Sequence, residues 1–176
     1  MPKKIILLLL LYIFITSCGV TRKMETERVE FKTEKFETSG FYYTKPDFKN
    51  GNQSKCYVFY KNGVFFGGFS VNNGVDGIKE FLFDNDRVKA AKDLAYSWGI
   101  FQVSSDFVKF EKWISSDEFG GYPTVKYTGK VLDRKSILIN TPLVYSTKKQ
   151  PKEFRIDTLY YYPFELKPDS INKFIK

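Results

Sequence analysis

The chain has 176 residues, with 28 lysines and arginines against 20 aspartates and glutamates, a formal net charge of +8, and no histidine. The missing histidine excludes Ser-His-Asp and Cys-His catalysis, the usual zinc sites and the commonest general base near neutral pH. The length bounds the chain to one folded domain with a real core, and an aromatic content of 18% tilts it towards β structure.

Lys3 and Lys4 precede an unbroken apolar stretch, Ile5 to Ile15. A membrane-spanning helix needs about 20 apolar residues, so this run has the length of a signal-peptide core instead. The small residues Thr16 and Ser17 lead into Cys18. Ile15-Thr16-Ser17-Cys18 resembles the lipobox of bacterial lipoproteins. The resemblance implies that Ile15, Thr16 and Ser17 are read by the signal peptidase, and that Cys18 receives a diacylglyceryl group and becomes the new N-terminus. Two acyl chains anchor stably where one does not. In that family an aspartate after the cysteine favours retention at the inner membrane, and here Gly19 stands there. The implied address is therefore the cell envelope, at the outer membrane, with the membrane as a partner through the N-terminal lipid. Residues 20–39 are polar, charged with both signs and poor in periodic apolar positions, and are expected to form a flexible tether. The expected organisation is a signal peptide over 1–17, a lipidated N-terminus and tether over 18–39, and a single β-rich domain over 40–176.

In chain order, the domain first offers "CYVFYKNGVFFGGFSV". Asn62-Gly63 between apolar runs predicts a β-hairpin with a two-residue type I′ turn. That register sets Phe59 against Phe66 and Tyr60 against Phe65, so aromatic rings occupy both faces. The pair is then covered on both sides or lines a cavity, and Gly67-Gly68 permits a sharp bend in its second strand. Cys56 lies in the same run and reads as a small buried hydrophobe; with Cys18 lipidated it has no disulfide partner.

From about 75 to 97, Ile78, Phe81, Leu82, Val88, Ala91, Leu94 and Ala95 recur at three- and four-residue intervals, as on an amphipathic helix. Asp84-Asn85-Asp86 is expected to break it in two, with Asp84 or Asp86 capping the second piece. The same cluster lacks the glycine and later glutamate of a calcium loop. Two strands then flank Ser104-Ser105-Asp106. "TVKYTGKVL" alternates, with Val125, Tyr127, Gly129 and Val131 on the buried face. Ile137 and Ile139 continue that face, and "EFRIDTLYYY" supplies a last long strand. The fold class is mainly β: an antiparallel barrel or strongly curved sheet of about eight strands with one helical insertion.

Trp98-Gly99, Asp106 to Phe110 and Ser136 to Ile139 also resemble strands of the small lipocalin-like lipoproteins. That resemblance implies a calycin-type barrel with a ligand in it, although a helix after the first hairpin departs from the plain eight-stranded pattern.

Little catalytic chemistry is visible. Gly67-Gly68 and Gly120-Gly121 are isolated pairs and not a phosphate loop. Asp117-Glu118, with Trp113 and Tyr122 nearby for sugar stacking, is the best carboxylate pair for glycoside hydrolysis, but an exposed acidic turn is the preferred reading. The lysines are scattered among acids, so nucleic acid is not an expected partner, and no cofactor is implied. The expected function is a non-catalytic, membrane-anchored module that binds a hydrophobic or aromatic-stacking small molecule in a β cavity. The alternative is an assembly accessory docking on another envelope protein, with Tyr160-Tyr161-Tyr162 as an exposed patch; a carboxylate-only hydrolase ranks third.

Overall fold

The computed structural model describes residues 23–32, 34–46, 52–115, 122–142 and 154–176. Residues 1–17, read above as a signal peptide and including Ile15, Thr16 and Ser17, lie outside the described residues, as do Cys18, Asp117 and Glu118.

Eight antiparallel strands close into one barrel in sequence order. They are β1 (Gly40–Thr44), β2 (Gln53–Phe59), β3 (Val64–Asn72), β4 (Trp98–Ser104), β5 (Phe107–Trp113), β6 (Thr124–Asp133), β7 (Ser136–Pro142) and β8 (Phe154–Pro163). The last strand pairs with the first, from Gly40 opposite Pro163 to Thr44 opposite Leu159. The barrel therefore closes, helical insertion included, with every strand paired to a neighbour on each side and the β3–β4 pairing confined to Val64–Phe66.

Side chains on successive strand residues point to opposite faces, and this alternation divides the apolar residues into two cores. Tyr42, Tyr57, Phe59, Phe65, Phe101, Phe110, Tyr127, Ile137, Ile139 and Leu159 fill the lumen. Phe41, Cys56, Val58, Phe66, Trp98 and Ile100 form an outer core. Strands β1 to β4 are thus apolar on both faces, as the hairpin aromatics required. On β6, Val125, Tyr127, Gly129 and Val131 are buried while Lys126, Thr128 and Lys130 are exposed, the pattern of a strand wet on one side.

The first hairpin differs from expectation by one residue. Phe59 pairs with Phe65 and Val58 with Phe66, because the loop has three residues. Tyr60 N–H donates to Val64 O and Gly63 N–H to Tyr60 O. Gly63 alone takes a positive φ, +79°, so Asn62-Gly63 belongs to a longer turn with glycine in the left-handed position, the three-residue hairpin alternative. The shift puts Phe59 and Phe65 together inside the barrel.

The outer core is roofed by α1 (Gly74–Phe83) and α2 (Asn85–Lys92). Ile78, Phe81 and Leu82 of α1 are buried, with the Phe81 ring 5.1 Å from that of Phe69 on β3. Asp84 leaves the helix at the break, and its Oδ1 accepts the Asp86 and Arg87 amides at 3.1 and 3.0 Å. Two otherwise unsatisfied amides of α2 are so capped. Replacing Asp84 by alanine is expected to cost about 1 kcal/mol, read as a shift of the urea midpoint at unchanged slope.

Residues 23–39 are where expectation and structure part most. They were expected to form a tether; the described part packs on the barrel. From Glu25 the segment descends the outside of β4 and β5. The buried Glu111 carboxylate accepts the amides of Glu25 and Thr26, and Gln102 Nε2 donates to Glu27 O. At the foot of the barrel the segment is pinned to all three short turns. Phe31 N–H donates to Lys61 O, Lys35 Nζ meets Asp106 Oδ1 at 2.6 Å, and Glu37 binds Arg134 by main chain and side chain. Phe36 enters the lumen, 3% exposed, its ring 5.4 Å from Phe59 and 5.8 Å from Phe101. Polar composition concealed this plug because two phenylalanines suffice to hold it once a closed ring offers them a dry seat.

The barrel therefore has two unlike ends. The turn end carries the connections at 60–63, 105–106 and 134–135 and is stoppered by Phe36. The loop end carries the longer connections, including the helical one.

Candidate functional site

The lumen changes character along its axis. Near the turn end it is a stack of rings: Phe59 lies 5.0 Å from Phe101, Phe65 5.9 Å from Phe110, and Phe110 stacks on Tyr127 at 4.8 Å. Towards the loop end the inward positions become polar and charged: Thr44 on β1, Lys55 on β2, Lys112 on β5, Thr141 on β7, and Arg155 and Asp157 on β8.

Lys112 occupies its place by simple alternation. Val108 and Phe110 of β5 belong to the lumen core, so Lys112 also points inward. It is 8% exposed. Its Nζ crosses the lumen to β3 and donates to Gly67 O at 3.1 Å and Gly68 O at 3.4 Å. These carbonyls are available because β3 bulges there. Cys56 pairs with Phe69 and Tyr57 with Gly67, leaving Gly68 as the extra residue, with φ of +132° at Gly67 and +74° at Gly68. The positive φ favours glycine at both positions, and a Cβ on Gly68 would lie 2.6 Å from Lys112 Nζ and displace the ammonium. The expected bend at Gly67-Gly68 is thus a β-bulge that turns two carbonyls onto a buried ammonium.

Charge at this end is unbalanced. Arg155 Nε donates to Asp157 Oδ1 at 2.8 Å, whereas Lys55 Nζ approaches Asp157 Oδ2 only to 3.8 Å. Asp157, the one carboxylate of the group, is therefore engaged first by Arg155. Burial holds the Lys55 ammonium below its ordinary range, Asp157 opposing and Arg155 reinforcing. Burial and then the charge of Lys55 bring Lys112 down to about 7. Lys55 thus keeps a loose ion pair with Asp157, which it shares with Arg155, while Lys112 makes no ion pair among the described residues.

Other residues singled out above fall elsewhere. Cys56 is fully buried in the outer core, where burial pushes its thiol up. Trp113 is 3% exposed on the outer face, packed at 6.0 Å on Phe174, and so presents no open sugar-stacking face; Tyr122 is half-buried and lies against Tyr96. The three consecutive tyrosines alternate. Tyr161 packs against the lumen core, Tyr162 stacks on Phe41 at 5.2 Å, and Tyr160 leans on Tyr43. Among the described residues no three metal-ligating side chains converge, and no helix is long and apolar enough to cross a membrane.

Sequence reasoning did not single out Lys112, Lys55, Arg155 or Asp157. The signal was present in "FVKFEKW" and "FRIDTLY", where a charged residue falls on the apolar parity of its strand. No protein-family model, no curated protein and no solved structure matches the chain.

Proposed function

We propose that this chain is a lipid-anchored protein of the cell envelope that acts without catalysis and holds a small ligand at the loop end of its barrel. The observation that carries this reading is the division of the lumen. One end is stoppered and filled with rings, and the other carries buried polar groups whose charges do not cancel. Charged groups at inward positions are costly to fold, and perturbed ionisable groups cluster where proteins do chemistry or bind. Anchoring rests on the resemblance of Ile15-Thr16-Ser17-Cys18 to a lipobox.

Mass spectrometry of the full-length chain recovered from membranes tests both halves. The denatured mature protein should begin at Cys18 and carry a diacylglyceryl group, and the native protein should retain one small molecule per chain. Cys18→Ser should shift the chain from the membrane to the soluble fraction. An unmodified, uncleaved N-terminus would end the anchoring half, and a native mass equal to the denatured one under the gentlest extraction would end the ligand half. The second reading, docking on an envelope protein, is favoured by one feature: Phe154 and Ile156 on the outer face of β8 are 45% and 68% exposed, on a side the helices do not roof.

A further inference from the structure

We infer that the ligand of this lumen carries an acidic head, a carboxylate or phosphate, which Lys112 and Lys55 hold at the loop end, above the packed rings. The inference rests on the ligand-binding reading above and specifies its chemistry. Three observations support it. The described inward charges at this end are Lys55, Lys112 and Arg155 against Asp157 alone, so one carboxylate is shared between Arg155 at 2.8 Å and Lys55 at 3.8 Å, and Lys112 has no described counter-charge. Lys112 is nine-tenths buried, and its hydrogen-bond partners among the described residues are the two bulge carbonyls. These neutral acceptors orient the ammonium without neutralising it. An anion beside both lysines would supply the opposite charge that a dry site needs.

The third observation concerns where such a ligand would come from. Met24 packs in the outer core, and the Glu111 carboxylate, near the loop end of β5, holds the Glu25 and Thr26 amides. The docked chain therefore reaches Lys23 on the loop-end side of the barrel. Only five peptide units separate Cys18 from Lys23, so an anchor at Cys18 can be no more than about 18 Å from it. With Cys18 lipidated as proposed above, the loop end would be held near the bilayer and the stoppered end away from it. An amphiphile leaving or entering the membrane surface meets the charged end of the lumen first.

The test uses the full-length chain in phosphatidylcholine nanodiscs, with dodecanoate, dodecanol and inorganic phosphate titrated in turn. The Gly67 and Gly68 amide resonances report on the lumen. Dodecanoate should bind with one-to-one stoichiometry at least tenfold more tightly than dodecanol, and Lys112→Met and Lys55→Met should each reduce that preference tenfold or more while leaving dodecanol affinity within threefold. The second variant keeps the test sound if the first perturbs folding. Equal affinity for acid and alcohol, or a preference indifferent to both substitutions, would overturn the acidic-head inference while leaving a lumen ligand intact. Failure of all three probes to move these resonances would overturn the ligand-binding reading itself. Binding of inorganic phosphate alone would overturn the amphiphile and leave a soluble anion. Replacing a tenth of the phosphatidylcholine by phosphatidylglycerol separates the sources. Shifts at Gly67 and Gly68 without added probe point to a bilayer lipid, whereas shifts that need dodecanoate point to a freely exchanging acid.

Discussion

Phe36→Ala is expected to lower the unfolding free energy by about 3–4 kcal/mol, the range for truncating a fully buried phenylalanine. The ring is 3% exposed and sits among Phe31, Tyr42, Phe59 and Phe101, all with centroids within 5.9 Å. Removing it withdraws apolar area from the lumen core and leaves a void that the strands cannot close, because their hydrogen-bonded ring fixes the barrel's width. It also loosens the segment bonded to the three turns. Urea denaturation of Phe36→Ala beside Lys32→Ala measures this. The Lys32 side chain is 81% exposed and its removal should change stability by less than about 0.5 kcal/mol. Equal, negligible effects of the two substitutions would mean that residues 23–39 are a tether after all.

Lys112→Met is expected to stabilise the protein at pH 6, by about 2–4 kcal/mol, and progressively less as the pH rises. Folding brings this lysine from its ordinary value of 10.5 down to about 7, chiefly by burial and secondarily through Lys55. Between those pH values the unfolded chain binds more protons than the folded one, so wild-type stability rises with pH across that window, by up to about 1.4 kcal/mol per pH unit. Below pH 7 both states carry the proton and the full burial cost is present. Methionine has no charge to bury, so its curve lacks the rise, and the two should converge towards pH 10. Thermal or urea unfolding at pH 6, 8 and 10 gives the comparison. Parallel curves would show that water reaches the ammonium and that the site is not dry. A lysine kept at this cost, where an apolar residue would be more stable, is the kind of residue that function holds against stability, which accords with the anion site proposed above.

Much of this architecture is legible in local sequence, because the governing interactions are local. Alternation at Val125, Tyr127, Gly129 and Val131 needs only the pleat of one strand. Asp84 caps α2 through bonds to residues two and three positions on. Breaks at Asn62-Gly63 and Ser105-Asp106 follow from the conformations that turns demand. Even the two-faced aromatic character of the first hairpin is legible, although its register is not, since a loop of two residues and one of three both satisfy the same Asn-Gly pair.

The candidate site lay beyond such reasoning for a different reason. Lys112 falls on the apolar parity of β5, so its direction is readable, but parity does not say whether that direction is wet or dry. That depends on β8 returning to β1, a pairing of segments more than a hundred residues apart, and on Phe36 finding a ring into which it can fit. By itself the sequence determined the number of strands, their faces, the helix break and the resemblance of Cys18 to a lipidation site. Only the tertiary structure decided that the sheet closes, that an apparent tether becomes a plug, and that a lysine among hydrophobic neighbours ends up buried beside another. Each of these depends on low-dielectric space that exists only once distant strands have met.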